Sequence, residues 1–254
     1  MVVRWGHPIP QTLEAAMKIR HLVHSCLLVE MAGRRVLVDP GTFSADAVRT
    51  LDDEVLAGVD AVAITHQHPD HLDRGLLDHV LGASAQAVVI AEPETAAQLA
   101  ESSEDGAAIS TERLLPLSAG EAHEFPALDG HEALRIAAAG GQHAIIHPDI
   151  PRVGNVGLVL SAGGGPQLGI TGDSLEPLQE FHGIDALAFA VVAPWSKMSE
   201  TIDFLRAVRP RVALPVHDAV ASAAGRPIFL RQSGALSPES TEVRDWPEDG
   251  IVEL

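Results

Sequence analysis

With 254 residues, 46% of them hydrophobic and 20% charged, the chain has the composition of an ordinary globular protein and the length of one large α/β domain or two small ones. Its 17 basic against 35 acidic residues leave a formal net charge of −18, which repels phosphate backbones; with no basic stripe interleaved with aromatics, nucleic acid is excluded as a partner. No apolar run approaches the about 18 residues needed to cross a bilayer, so no membrane partner is expected. No basic segment followed by an apolar stretch opens the chain, and the one cysteine excludes an internal disulfide; a cytoplasmic protein is expected.

In chain order, residues 1–16 match nothing that follows and read as an N-terminal extension with a short helical stretch over Gln11–Ala16. A single domain over 17–254 is expected to begin at Met17, where Met-Lys-Ile-Arg-His-Leu opens a strand pattern. Cys26 lies in the apolar run to Val29 and reads as a core residue. Leu27–Asp39 is predicted as a β-hairpin turning at Ala32-Gly33 and ended by Pro40-Gly41. Residues 44–57 carry a helical pattern, and Asp60–Ile64 a buried strand. Pro69 suits the first turn of a helix entering Leu72–Leu77.

Ala87–Ala91 is a further strand, followed by a helix over Pro93–Ala100. Residues 102–132 read as irregular, with hairpin-like pieces at Leu114–Leu117 and Ala122–Phe125. Leu134–Ala138 is a strand, and Asn155–Leu160 with Gln167–Thr171 form a hairpin across Gly163–Gly165. A strand over Ile184–Val192, a helix over Ser199–Val208 capped by Ser199, and a strand over Val212–Val216 complete the pattern. Strands meander and then alternate with helices in both halves, with no linker between them. The expectation is one α/β domain of two sheets packed face to face, helices outside.

His66-Gln67-His68-Pro69-Asp70-His71 places three histidines and a carboxylate in six residues directly behind a buried strand. In extended chain His66 and His68 point to the same side. Four metal-competent side chains therefore converge from one loop. His143, Asp173 and His217 each follow an apolar strand. Singly each is weak, since a histidine after a strand is most often a hydrogen-bonded structural residue and an aspartate in Thr-Gly-Asp a turn residue. Strand ends of an α/β sheet share an edge, however, so all three can meet the His66–His71 loop. His7, His79, His123, His131 and His182 stand in polar or helical surroundings and read as exposed.

The order HxHxDH, distal His, Asp, final His resembles the signature of the metallo-β-lactamase fold superfamily, and Asp39 matches that family's early strand-end aspartate. The resemblance runs from about Lys18 to the last helices and implies a four-layer αββα sandwich of two mixed sheets flanked by helices. It further implies that His66, His68 and His143 hold one divalent ion and that Asp70, His71 and His217 hold a second, with Asp173 bridging. Asp39 would stand behind the ligands and fix their loop. His24, near Asp39, is weighed between that supporting role and ordinary packing. His24-Ser25-Cys26 before a strand, and the compact length, look most like the ascorbate-6-phosphate-lactonase-like branch.

The implied chemistry is hydrolysis of a small ester, lactone or phosphoester by a metal-bound hydroxide, with Asp70 accepting or relaying a proton. Nitrogen and oxygen ligands without cysteine suit zinc, with manganese and iron left open. The expected partner is a small-molecule substrate, anionic if His147, Arg152 and Lys197 face the pocket: His147 and Arg152 lie in a Pro-rich segment after His143, and Lys197 follows a strand. Two other classes stay open. One is a metal-binding sensor without catalysis. The other is a di-iron redox protein on the same fold, against which Gln67 and His68 speak, because that branch resembles HxExDH.

Overall fold

The computed structural model describes residues 17–102 and 106–254; the extension expected over residues 1–16, with its helical stretch, lies outside the described residues. The first half builds β1 (Lys18–Val23), β2 (Cys26–Met31), β3 (Arg34–Val38), α1 (Ala45–Arg49), α2 (Asp53–Ala57), β4 (Ala61–Ile64), α3 (Arg74–Ala83), β5 (Val88–Ala91), α4 (Pro93–Leu99) and β6 (Leu114–Pro116). The second half builds β7 (Ala122–Phe125), β8 (Leu134–Gly140), β9 (Val156–Ala162), β10 (Leu168–Ile170), β11 (Ala186–Ala190), α5 (Met198–Val208), β12 (Val212–Val216), α6 (Arg226–Leu236), β13 (Glu242–Val243) and β14 (Ile251–Glu253).

Two seven-stranded mixed sheets result, ordered β14-β1-β2-β3-β4-β5-β6 and β13-β12-β11-β10-β9-β8-β7. Strand periodicity explains the layers. Val36, Val38, Ala61 and Ala63 enter the core between the sheets, where they meet Leu134, Ile136, Leu158 and Leu214. Their neighbours Leu37, Val62 and Ile64 point the other way, onto Val48, Leu56, Leu76 and Leu77 of α1 to α3. On the far side Leu187 and Phe189 meet Phe204, Leu205 and Val208 of α5. Strands buried on both faces read as unbroken apolar runs, and the fold is the expected αββα sandwich.

Local chemistry moves several boundaries. The helix expected over 44–57 breaks into a 3-10 turn, α1 and α2: the Thr50 hydroxyl shares its one proton between the carbonyls of Asp46 (2.9 Å) and Ala47 (3.1 Å), and the backbone turns extended at Asp52 (ψ 142°) before α2. Pro69 does not open a helix. It sits in a turn where the His68 carbonyl accepts from the amides of both His71 and Leu72 at 2.9 Å. The helix begins only at Arg74, capped by Asp73, whose carboxylate accepts from the Leu76 amide at 2.8 Å. Helix α5 starts at Met198 rather than after Ser199: Glu200 reaches back to the Lys197 amide at 2.9 Å, half of a capping box, and so moves the cap to Lys197.

The two hairpin-like pieces after residue 102 do not pair with each other. Strand β6 joins β5 in parallel while β7 joins β8 antiparallel, so the chain crosses between sheets there. Helix α6 and strands β13 and β14 carried no readable period. Strand β14 returns to the first sheet beside β1, and the amide of Met17 donates to Leu254 at 3.0 Å.

Candidate metal centre

Each candidate ligand follows a strand end at one edge of the sandwich: His66 after β4, His143 after β8, Asp173 after β10 and His217 after β12, with Asp39 after β3 and His24 in the β1–β2 turn. His24, Asp39 and His217 have left-handed backbones with φ of 60°, 46° and 62°. Such strain in non-glycine residues is uncommon and gathers at functional sites. Two glycines allow the close approach. A Cβ at Gly41 would run into the backbone of Asp70, and one at Gly172 (φ 56°) into the side chains of Asn155 and Thr65.

The structure brings all seven candidate ligands together. His66, His68, His143 and Asp173 offer donor atoms within 4.8 Å of one another, and so do His24, Asp70, His71 and His217. Asp173 lies between the groups: its carboxylate oxygens stand 3.0 Å from His71 Nε2, 3.2 Å from His143 Nε2, 3.2 Å from His217 Nε2 and 3.9 Å from His66 Nε2. Asp70 Oδ2 is 3.5 Å from His217 Nε2. All but His68 and Asp70 are nearly inaccessible to solvent.

Partners behind the rings set their tautomers. His143 Nδ1 faces the Ala144 carbonyl at 2.6 Å, His217 Nδ1 the Val192 carbonyl at 2.9 Å and His71 Nδ1 the Asp39 carboxylate at 2.8 Å. Carbonyls and carboxylates only accept, so each Nδ1 carries the proton. The Thr65 hydroxyl gives its one proton to Asp39 at 2.8 Å and therefore accepts from His66 Nδ1 at 3.1 Å. In the neutral rings, four Nε2 lone pairs thus converge around Asp173. Buried His66 Nε2, His217 Nε2 and Asp173 Oδ1 make no aligned hydrogen bond. Acceptors gathered against a buried carboxylate fit a cation.

His24 is arranged the opposite way. The Ala219 amide donates to its Nδ1 at 3.2 Å, which leaves the proton on Nε2, 3.3 Å from Asp70 Oδ2. His24 therefore presents a donor where the other rings present lone pairs.

Burial holds the His66, His68 and His24 imidazoles below their usual range. Burial also opposes charge at His217 and His71, but nearby carboxylates outweigh it. Asp173 and Asp70 raise His217 to about 9, and Asp173 and Asp39 hold His71 well above the ordinary histidine value. Burial opposes ionisation of Asp173, and His71, His143 and His217 reverse that, holding it well below the usual carboxylate range. Asp70 is likewise held low, against burial, by His217 and His24. Without a metal the centre takes protons in its place.

Two contributors carried no sequence signal. Trp195 donates its indole N–H to Asp173 Oδ2 at 2.7 Å, and Asn155 accepts from the Asp173 amide at 2.9 Å while donating to the Thr171 carbonyl at 3.2 Å. Only their places just beyond β11 and just before β9, at the ligand-bearing edge, marked them. The residues read as substrate contacts are placed differently. Arg152 gives its Nε and Nη2 protons to the His143 carbonyl at 2.8 and 2.6 Å, so two donors expected to face a substrate anion brace the backbone of a candidate ligand instead. Lys197 is exposed, with its ammonium 3.5 Å from Glu200. His147 is exposed and accepts from the Asp149 amide at 3.1 Å. Cys26 is buried, its thiol pushed up to about 12 by desolvation, which suits a core residue. Among the expected exposed histidines, His79, His131 and His182 are exposed, and His123 is half-buried.

The sequence profile of the beta-lactamase superfamily domain matches residues 18–217. The chain belongs to that superfamily. Protein Rv0786c of Mycobacterium tuberculosis is 37% identical over 237 residues, which cover 93% of this chain and 99% of the relative. Among solved structures, Igni18, a metallo hydrolase from Ignicoccus hospitalis, superposes with a TM-score of 0.68 at 17% identity, covering 94% of this chain and 98% of its own. CmlA, a diiron beta-hydroxylase from Streptomyces venezuelae, does so with a TM-score of 0.56 at 12% identity, covering 98% of this chain and 55% of its own. At these identities the likeness is one of fold, and one fold carries different reactions. Among the described residues no helix is long and apolar enough to cross a membrane.

Proposed function

We propose that this protein is a dinuclear metal-dependent hydrolase of a small ester, lactone or phosphoester. The observation that carries the reading is the convergence of four imidazole Nε2 lone pairs on the Asp173 carboxylate, each fixed by an acceptor on its Nδ1. His66, His68 and His143 would hold one divalent ion and Asp70, His71 and His217 the other, with Asp173 shared. Nitrogen and oxygen donors without a thiolate suit zinc, and also accommodate manganese or iron. Bound there, the ions would acidify a water and polarise a carbonyl or phosphoryl oxygen.

The chain's own groups supply position and proton traffic. Asp39 holds His71 and the Thr65 amide and hydroxyl, so the ligand loop is set before any ion arrives. Trp195 and Asn155 fix Asp173 from two sides. Asp70 is the one carboxylate of the three that solvent reaches, with 26% of its side chain exposed, which suits it to accept a proton and pass it on. A cytoplasmic location goes with this reading, on the single buried cysteine.

The test is a screen of lactones, aryl esters and phosphodiesters with protein loaded with zinc or manganese, repeated after chelation. Turnover lost on chelation and regained with metal is expected. Tight metal binding with no turnover on any of them would favour a sensor.

A further inference from the structure

Eight large hydrophobic side chains are exposed among the described residues, and five of them, Phe43, Ile145, Ile146, Ile150 and Val220, stand in three loops that carry or touch the metal centre. They are 38% to 58% exposed. Phe43 meets the ring of His24 edge-on at 4.9 Å, and its neighbour Thr42 donates to the Pro69 carbonyl at 2.8 Å, which ties that loop to the histidine turn. Val220 follows Ala219, whose amide holds His24. The three isoleucines lie in a loop pinned at both ends. Ala144 donates to the Asp173 carbonyl at 2.7 Å, and Arg152 grips the His143 carbonyl. Within it the Ile150 amide donates to the His147 carbonyl at 3.0 Å, folding the segment into a turn. Ile145 and Ile146 follow directly on the Ala144 anchor and so stay within about 7 Å of it along the chain, at about 3.5 Å per residue.

Scattered exposed apolar residues are ordinary; several in the loops that flank one site mark binding. The two cationic side chains expected to receive an anion are engaged elsewhere, Arg152 on backbone and Lys197 on Glu200.

We propose that this rim binds an apolar group of the substrate, which is an uncharged ester or lactone bearing a hydrocarbon or aromatic substituent. The assignment rests on the hydrolase reading and narrows it. It makes Ile145, Ile146, Ile150 and Phe43 specificity-determining residues rather than members of the metal centre.

The probe is a series of linear alkyl hydroxamates, from acetohydroxamate to octanohydroxamate, titrated by calorimetry into metal-loaded protein. The chelating head is constant and only the tail varies. Affinity should rise about fourfold per methylene over the first several carbons. The triple variant Ile145→Ser, Ile146→Ser, Ile150→Ser should lose at least tenfold for octanohydroxamate while keeping its metal content and melting temperature. Should that variant misfold, Phe43→Ser alone should still reduce the slope. Binding of acetohydroxamate with a flat dependence on tail length overturns the rim and leaves the hydrolase reading standing. Failure to take up metal or to bind any hydroxamate overturns both. Self-association that the triple variant abolishes, with no tail dependence, assigns the rim to a second copy and also overturns it.

Discussion

His24 gives its Nε2 proton to Asp70 across 3.3 Å, in a centre where His66, His71, His143 and His217, as neutral rings, direct lone pairs inward. The reversal follows from one backbone contact, the Ala219 amide on His24 Nδ1. Asp70 therefore has its orientation set from outside the ligand set and keeps an exposed face.

Asp70→Asn keeps the shape, removes the charge and weakens the hold on the second ion. Turnover should fall by a hundredfold or more, with the melting temperature of the metal-free protein within a few degrees of wild type. An unchanged rate on a wild-type substrate removes Asp70 from the reaction.

Elemental analysis of protein purified without chelator should give close to two ions per chain. One ion at saturating metal would leave the second group of side chains without its assigned role.

The metal-free protein should lose stability as pH rises from 6.5 to 9. His217 has its folded value raised to about 9 from an ordinary 6.5, against burial, by Asp173 and Asp70; its contribution is complete below 6.5 and lost as pH passes the folded value. Asp173 and Asp70, depressed, act in the opposite sense, and their contribution disappears as pH falls below the usual carboxylate range. Metal must displace the histidine protons, so its affinity should rise over that upper window with proton release. Melting of chelated protein at pH 6.5 and 9, with metal titrations in buffers of different ionisation enthalpy, checks both signs. A higher melting temperature at pH 9 contradicts the assignment.

Arg152→Ala removes two hydrogen bonds to the carbonyl of His143. We expect tenfold to a hundredfold weaker metal binding, the cost usual for a group that orients a ligand, and equal effects on neutral and anionic substrates. An increase in KM confined to anionic substrates, with metal affinity intact, would restore Arg152 to substrate binding.

A chain starting at Met17 should keep its melting temperature and metal content, since the pairing of β1 with β14 begins at Lys18 and Glu253. A drop of several degrees would show residues 1–16 holding the fold.

The sequence by itself determined the layers and marked the candidate ligands. Val36–Val38, Ala61–Ile64 and Ala186–Ala190 are unbroken apolar runs because core covers both their faces, and that pattern is local. His66, His68, Asp70 and His71 announce themselves because one loop carries them. Only the tertiary structure decided the rest, because contacts distant in sequence settle it. Nothing periodic marks β6 and β7 for different sheets or returns a three-residue β14 to β1, for strands so short are selected by the edge available to them. The tautomer of His24 depends on an amide 195 residues away, and Trp195 meets Asp173 only because β10 and β11 run side by side in parallel and end at the same edge. A side chain's type says what it is able to donate or accept; the fold chooses which atom it faces.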